Sequence, residues 1–393
     1  MQLDVYVDDI TISVYGPDDS TVFHLLILAA EDMARVIHDQ LRCSIALSKA
    51  AVLASSDALL GRLRERLGTL AGNETVVAAN LGIDFSAGRT DGSSRLPRKK
   101  ARLQQGALRK PRLASLRKLV GGRVASCVFA AGILPSMVYG VEVHGVDDRE
   151  WKLLQSVATT GLVNSVAGRS MSATRLLKGD STARAAFGPA AKWQQQVWRA
   201  VNSPHRARVG LDELTSAWED VRLSDSHSWY DPLGFANWDG IRGPIGATSL
   251  TLERFHWTVQ SPTVWIDDIG VTRDLKEYSP KMFRTFLTDS AFRLMEAQVC
   301  DSIGDPSMAG HRACMDVVRK YVRSSKHEAP AKAAVAAAAT NVVWTRARAF
   351  NSGYALDDTS CPMCGLFQDT LHHRIWHCCH PDVVAARRKA AKH

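Results

Sequence analysis

Residues 1–16, MQLDVYVDDITISVYG, place two adjacent carboxylates, Asp8 and Asp9, between two runs of β-prone residues. The alternating side chains of residues 3–7 and 10–14 predict the two strands of a hairpin, and the aspartates supply the residues of its turn. Carboxylates are costly inside a protein unless a partner compensates their charge. The stretch therefore predicts a rigid hairpin that presents two carboxylates to metal cations, with a polar turn of two solvated aspartates as the alternative.

The following residues predict alternating helices and strands. Helical spacing of apolar residues runs from Thr21 to about Leu41, with Ser20 as the expected N-cap, and recurs over residues 57–70. Strand candidates are residues 44–54 and 75–85. The order of hairpin, helix, strand, helix and strand predicts an α+β layer at the start of the chain.

A basic segment follows this layer. The chain carries a formal net charge of +9, and residues 92–141 contain no acidic residue. Helical segments without counter-charges repel themselves unless they face an anion, so we expect a surface for nucleic acid here. A solvated charged face is the alternative, although such faces normally mix both signs. The candidate contacts are Arg98, Lys99, Lys100, Arg102, Arg109, Lys110, Arg112, Arg117 and Lys118.

The middle of the chain is rich in tryptophan. Seven of the ten tryptophans lie in this section: Trp193, Trp198, Trp218, Trp229, Trp238, Trp257 and Trp265. Such rings can stack on bases. We expect them instead to anchor a small core between short helices, because tryptophan fills large gaps.

The cysteines are concentrated at the end of the chain. Cys361, Cys364, Cys378 and Cys379 lie within the last 33 residues, out of eight cysteines in all. A disulfide framework would be spread more evenly, and no secretory signal or transmembrane helix is evident. We therefore expect an intracellular protein, cytoplasmic or nuclear, that is neither secreted nor bound to a membrane.

The C-terminal cysteines and histidines have the spacing of a zinc site. Cys361 and Cys364 form a C-x₂-C knuckle, and the histidines and cysteines of residues 372–380 can complete a tetrahedral site. His372, His373 and His377 are all candidates for the fourth ligand. Unligated thiols on a frayed tail are the alternative.

The order of these features resembles the reverse transcriptases of non-LTR (LINE-like) retrotransposons. Tyr6-Val7-Asp8-Asp9 is similar to the Y-x-D-D motif C of that family. Residues 48–52, SKAAV, and 81–85, LGIDF, are similar to motifs D and E, and Leu134-Pro135 and Tyr139-Gly140 continue the similarity into the thumb. The C-terminal cysteines resemble the CCHC element of the family, so the resemblance covers most of the chain.

The resemblance implies an RNA-directed DNA polymerase and roles for individual residues. Asp8 and Asp9 would bind Mg²⁺, Lys49 would lie near the departing pyrophosphate, and Tyr6 would line the nucleotide side. Leu81 and Gly82 would grip the primer. The zinc ligands would be Cys361, Cys364, His373 and Cys378. The partners would be an RNA template and a DNA primer, with deoxynucleotides as substrates of the complete enzyme.

One departure from the family concerns motifs A and B, which precede the hairpin in the family and are missing from this sequence. A two-metal site needs the further aspartate of motif A, so we expect this chain alone not to polymerise and Met1 to mark a truncation. The resemblance divides the chain into a partial palm (1–92), a basic helical thumb (93–165), a helical linker (166–350) and a zinc knuckle with a basic tail (351–393).

Two other functions remain open. The second hypothesis is a non-catalytic nucleic-acid-binding protein that uses the basic helices and the knuckle, with Asp8 and Asp9 as a relic. A zinc-stabilised interaction domain without any nucleic-acid partner is the third hypothesis. Salt-dependent binding to a primer–template duplex separates this last hypothesis from the other two.

Overall fold

The computed structural model describes residues 2–6, 9–75, 77–85, 96–163, 169–207, 209–226, 229–241, 243–301 and 310–390. The chain divides into two compact units. Unit 1 comprises Met1–Gly161 and Ser181–Ala291, and unit 2 comprises Leu162–Asp180 and Phe292–His393. Helices joined by small sheets make up the described chain, which is consistent with the α+β class expected from the sequence. The division into four segments remains a prediction.

The N-terminal hairpin is present. Strands β1 (Gln2–Tyr6) and β2 (Asp9–Ser13) pair antiparallel, with Tyr6 opposite Asp9. Two further strand pairs follow in the first ninety residues: β3 (Ala51–Val52) with β4 (Asn73–Glu74), parallel, and β5 (Ala78–Asn80) with β6 (Ile83–Phe85), antiparallel.

Both long strands expected in this part of the chain are wrong in extent. Within residues 44–54 only β3 is a strand, because the chain turns at Ala46, whose carbonyl accepts the N–H of Lys49 at 2.8 Å. Of the second expected strand, residues 75–85, the part from Ala78 to Phe85 forms a hairpin of β5 and β6 rather than one strand. Its turn consists of Leu81 and Gly82 at φ of 48° and 78°, a left-handed conformation that reverses the chain.

The two predicted helices around these strands are confirmed. Helix α1 (Asp19–Arg35) continues as a π-helical turn over Val36–Gln40, and α2 (Asp57–Leu67) ends in a 3₁₀ turn. The N-cap of α1 is Asp18 rather than Ser20, since its carboxylate accepts the N–H of Thr21 at 2.8 Å. The apolar face of α2 packs with Ile27 of α1 into a buried core.

The basic segment is mostly helical in its described part. It forms α3 (Pro97–Leu108), α4 (Lys110–Val128), a π-helical turn at Phe129–Ile133, α5 (Leu134–Met137), α6 (Val141–His144) and α7 (Asp148–Leu162), and α8 (Met171–Lys178) follows in unit 2. Among the described residues, one helical run, Pro97–Met137, is long and apolar enough to cross a membrane by length and composition alone. One such run is weak evidence for a membrane span, because the core helix of a soluble protein passes the same test, and this run is interrupted at Gly121, where φ is 81°.

A tryptophan-rich core organises the rest of unit 1. Its elements are α9 (Ala183–Ala186), α10 (Gly188–Asn202), α11 (Leu211–Asp225), α12 (Pro244–Arg254) and an antiparallel sheet of β7 (Thr258–Ser261), β8 (Val264–Ile266) and β9 (Thr272–Asp274). The indole rings of Trp193 and Trp218 lie 4.7 Å apart, and Trp265 is fully buried against Trp257. The expectation that these tryptophans anchor a core is confirmed for Trp193, Trp218, Trp229, Trp257 and Trp265, all of which are buried.

Unit 2 has a separate apolar core. Helix α13 (Pro280–Asp301) enters this unit at Phe292, and α14 (Met315–Arg323), α15 (Ala329–Ala339), α16 (Arg346–Asn351) and α17 (Pro381–Ala390) follow. Leu176 and Leu177 of α8 pack against Met295 and Met315. The described residues of this apolar core all lie within unit 2. The C-terminal cysteines therefore belong to a unit with a core of its own.

Candidate functional site

The C-x₂-C segment forms a tight knuckle. The backbone N–H of Gly365 donates to the carbonyl of Cys361 at 2.8 Å, and Gly365 takes a φ of 68° that favours glycine. The N–H of Cys361 donates to the carbonyl of Phe367 at 2.7 Å. This backbone arrangement turns the thiols of Cys361 and Cys364 to the same side.

A helical turn brings the other two members of the cluster to the knuckle. His373–His377 form a π-helical turn, and the N–H of Cys378 closes it on the carbonyl of His373 at 2.7 Å. One ligand atom from each of Cys361, Cys364, His373 and Cys378 lies within 4.8 Å of all the others. The structure thus gathers the same four residues that the resemblance named.

The distances fit a tetrahedral metal ion. The sulfur atoms of Cys361 and Cys378 lie 3.9 Å apart, and Cys364 Sγ lies 3.3 Å from His373 Nε2. Two thiolates on a tetrahedral zinc ion are about 3.8 Å apart, given Zn–S bonds of about 2.3 Å. Three sulfur donors and one imidazole are also a donor set of structural zinc sites. The cluster can therefore hold a metal ion, and its chemistry is compatible with zinc.

The thiols differ in their readiness to ionise. The N–H of Leu366, the imidazole of His373 and the N–H of Phe367 lower the pKa of Cys364 to about 6. The N–H of His380 favours the thiolate of Cys378, but burial and the neighbouring thiols outweigh it and raise that pKa. Cys364 is thus more ready than Cys378 to bind a cation as a thiolate at neutral pH.

The structure chooses between the histidines that the sequence left open. His373 is 6 % exposed and faces Cys364, whereas His372 and His377 are exposed and pair with each other at 4.7 Å between ring centroids. Cys379 is exposed as well, next to the fully buried Cys378. The cluster therefore uses one histidine and one of the two adjacent cysteines.

A buried carboxylate, that of Asp369, connects the cysteine–histidine knuckle to helix α16. Asp369 is fully buried and accepts hydrogen bonds from the Arg374 guanidinium at 2.5 and 2.6 Å and from the N–H of Arg346 at 2.7 Å. These bonds tie the helical turn that carries His373 to the start of α16. The sequence analysis did not predict a role for Asp369. The available signal was that Asp369 is the one acidic residue between Cys364 and His373.

The predicted Mg²⁺ site at the N-terminus cannot be placed. Asp8 lies outside the described residues, and the structure describes the backbone of Tyr6 and Asp9 but not their side chains. Lys49 was expected on a strand and lies instead in an exposed turn. Nothing in the described residues supports Mg²⁺ binding, and the roles of these four residues remain predictions.

The Leu81–Gly82 turn is held from two sides. The Arg102 guanidinium donates to the carbonyl of Gly82, and Tyr139 Oη donates to the carbonyl of Leu81 at 2.9 Å. The same guanidinium donates to the carbonyl of Tyr139 at 3.2 Å and lies 4.9 Å from its ring centroid. These contacts fix the turn against the basic helices of unit 1.

Four of the nine basic candidates serve contacts within unit 1. Arg102 holds the turn, and Lys99 forms a largely buried ion pair with Glu150 at 2.6 Å. Lys110 donates to Ser156 Oγ at 2.9 Å, and buried Arg117 donates to the carbonyl of Thr160 at 2.7 Å. The primary contacts of these four cations are therefore intramolecular.

The other five candidates are exposed: Arg98, Lys100, Arg109, Arg112 and Lys118. Within the described part of the chain, Arg98, Arg109, Arg112 and Lys118 have no carboxylate partner. These five exposed cations lie on or between the consecutive helices α3 and α4, and we call them together the basic surface.

Asp84 is a structural residue of this region that the sequence did not reveal. Its carboxylate is 3 % exposed and accepts the N–H groups of Arg98 and Lys99 at 3.0 and 3.2 Å. It thereby caps the first turn of α3 from a distant position in the chain. The fourth position of the LGIDF stretch was its only signal.

No family model, curated protein or solved structure matches this chain.

Proposed function

We propose that this chain binds nucleic acid as the C-terminal part of a non-LTR retrotransposon reverse transcriptase. The order of the motifs around Asp9, Lys49, Gly82 and the C-terminal cysteines supports the proposal. In the complete enzyme, Asp8 and Asp9 help to hold the two Mg²⁺ ions of nucleotidyl transfer from deoxynucleotides, on an RNA template and a DNA primer.

The observation that carries the proposal is the basic surface. Four of its five cations lack a carboxylate partner among the described residues, and the segment that contains it has no acidic residue at all. Positive charges on one segment repel each other unless an anion lies nearby, and the phosphates along a nucleic-acid backbone supply that negative charge. Arg102, which holds the Leu81–Gly82 turn, belongs to α3, the helix that also carries Arg98 and Lys100 of the basic surface. A primer strand would be positioned at this turn.

The cluster of Cys361, Cys364, His373 and Cys378 is proposed to bind zinc as a structural ion. All four protein ligands are present and three of them are buried, which leaves no open position for a reacting group. The ion would hold the knuckle and the His373–His377 turn together and contributes no chemistry to a reaction.

Salt-dependent binding tests the proposal directly. The variant with Arg98→Gln, Arg109→Gln and Arg112→Gln removes three cations of the basic surface. We expect the slope of log K against log salt for a primer–template duplex to fall by about 3, because each lost phosphate contact removes about 1. The matched control is Lys192→Gln, Lys281→Gln and Arg284→Gln, three exposed cations of unit 1 outside the basic surface. An equal change in both variants, or no duplex binding by the unmodified chain, contradicts the proposal.

A non-catalytic nucleic-acid-binding protein is the second candidate, since the basic surface by itself needs no polymerase. Neither candidate predicts primer extension by this chain alone with Mg²⁺, because the third carboxylate is missing. Addition of a segment that carries motifs A and B separates them. Extension that appears and is then lost in Asp8→Ala supports the reverse transcriptase, whereas duplex binding without extension supports the second candidate.

A further inference from the structure

Two tryptophans near the cysteine–histidine cluster are exposed, unlike the other eight. The exposed fractions of Trp344 and Trp376 are 48 % and 64 %, whereas the tryptophans of unit 1 are buried or half-buried. Exposure of such large apolar rings is unfavourable in an isolated protein, and clustered exposure marks an interaction site. The knuckle region is therefore a candidate for a second binding surface.

Further apolar side chains on the knuckle are exposed in the same way. Phe367 is 57 % exposed and Leu366 is 70 % exposed, directly after the Cys364–Gly365 turn. The Phe367 ring centroid lies 5.5 Å from that of His373, and its carbonyl accepts the N–H of Cys361. Trp376 lies on the turn between His373 and Cys378. The backbone of Phe367 is therefore held by Cys361, and Trp376 lies in the turn between His373 and Cys378, two further members of the cluster.

Cations accompany these rings. The Arg387 guanidinium of α17 donates to the carbonyls of Trp376 and Cys378, which brings the C-terminal helix onto the knuckle. The next two residues of α17, Arg388 and Lys389, are exposed. On α16, the guanidinium of Arg348 lies 5.1 Å from the ring of Trp344. The exposed rings are therefore bordered by positive charge.

We propose that the knuckle binds single-stranded nucleic acid, with unpaired bases stacked on Trp376 and Phe367 and phosphates near Arg388 and Lys389. Flat rings next to cations suit a strand whose bases and phosphates alternate, because every base offers a face for stacking. A duplex keeps its base faces stacked inside the helix, so these aromatic rings find no base face to stack on. This inference rests on the proposed function, since it names the form of nucleic acid that one part of the chain selects.

A protein partner is the competing explanation for exposed apolar side chains. The charges favour nucleic acid, because both cations that follow Arg387 are exposed and the nearest acid on α17, Asp382, lies at the opposite end of the helix. Protein interfaces use aromatic residues as well, but their centres are depleted in charge. The experiment below decides between the two.

The test compares binding of full-length variants to an unstructured oligothymidylate and to a DNA duplex of equal length. We expect Trp376→Ala and Phe367→Ala each to weaken oligothymidylate binding about fivefold or more, and duplex binding by less than about twofold. Trp376→Phe should restore most of the lost affinity, since it keeps an aromatic face. Phe235→Ala, which removes a 68 % exposed ring from unit 1, is the matched control and should change neither affinity. Zinc content per chain verifies that each variant keeps its knuckle.

Three results would overturn the inference: unchanged oligothymidylate binding in both ring variants, equal weakening on single strand and duplex, or equal weakening in Phe235→Ala. The unmodified chain also separates this inference from the proposed function. Duplex binding without oligothymidylate binding refutes the single-strand surface and leaves the function in place. Absence of binding to either probe refutes both.

Discussion

At the scale of single residues, Asp369 shows how much one buried carboxylate can organise. Burial alone would raise the pKa of Asp369, but hydrogen bonds from Arg374 and from the N–H of Arg346 outweigh burial and hold that pKa below its usual value. When it is ionised, the Asp369 carboxylate therefore stabilises the folded state. Its partners lie on the turn that carries His373 and on α16, so one side chain joins two elements.

We predict that Asp369→Asn lowers the free energy of unfolding by about 2 kcal/mol at pH 7, since charge-assisted hydrogen bonds are lost. The folded-state pKa lies below the unfolded value of 3.8. The stabilisation is thus complete well above pH 3.8 and disappears as the pH falls through the folded-state pKa. Urea unfolding at pH 7 and near pH 3 measures it, and the difference from the unmodified chain should shrink at the lower pH. Asp358→Asn, on the exposed partner of Arg346, should change little at either pH. A constant difference at both pH values contradicts the prediction.

The residue scale also shows what the sequence could not reveal. The spacing of Cys361 and Cys364 was enough to predict a metal cluster, because the C-x₂-C pattern constrains a short loop. The choice of His373 over His372 and His377 came only from the family resemblance, because the number of intervening residues alone does not determine which histidine the helical turn directs to the cysteines. In the same way, charge could not reveal that Arg117 is buried, since the carbonyl of Thr160, to which its guanidinium donates, lies 43 residues away in the sequence.

At the scale of elements, the periodicity of apolar residues predicted the helices whose formation depends on local sequence. Helices α1 and α2 were predicted with nearly correct bounds, because each has an amphipathic pattern and a capping residue at its start. The failures concern residues 44–54 and 75–85, where β-prone composition continued across turns. Leu81 takes a positive φ that is unusual for leucine, and Arg102 and Tyr139, which are distant in sequence, hold the turn it forms.

Helix α3 offers a prediction at this scale. Because Asp84 accepts two N–H groups of its first turn, Asp84→Ala should lower the free energy of unfolding by about 1–2 kcal/mol. Asp84→Asn keeps an acceptor oxygen and should lose less. Urea unfolding followed by circular dichroism measures both. The control is Glu65→Ala on the exposed face of α2, for which we expect a change within about 0.5 kcal/mol. Equal losses in Asp84→Asn and Asp84→Ala would show that the cap is not the cause.

At the scale of the whole molecule, the two candidate functional features belong to different units. The basic surface lies in unit 1, where buried tryptophans form the core of α10–α12 and β7–β9. The cysteine–histidine cluster lies in unit 2, whose apolar core is built from α8, α13 and α14. The charge distribution predicted a basic segment and the cysteine spacing predicted a metal-binding end, but the pairing of Leu162–Asp180 with the C-terminal residues depends on long-range packing that no local pattern contains.

Metal removal tests whether the knuckle depends on its ion while unit 1 does not. A structural ion contributes its binding free energy to folding, so chelation should abolish amide protection in residues 359–378. Hydrogen exchange in α10 and α12 should stay the same, because the buried residues of these helices include no member of the cysteine–histidine cluster. Cys378→Ser should likewise lose the bound zinc, whereas Cys379→Ser, which changes the exposed neighbour, should retain one ion per chain. Loss of zinc from both variants would mean that the ligand set differs from the one assigned here. Unchanged exchange after complete chelation would mean that the knuckle folds without a metal and that its four side chains have another purpose.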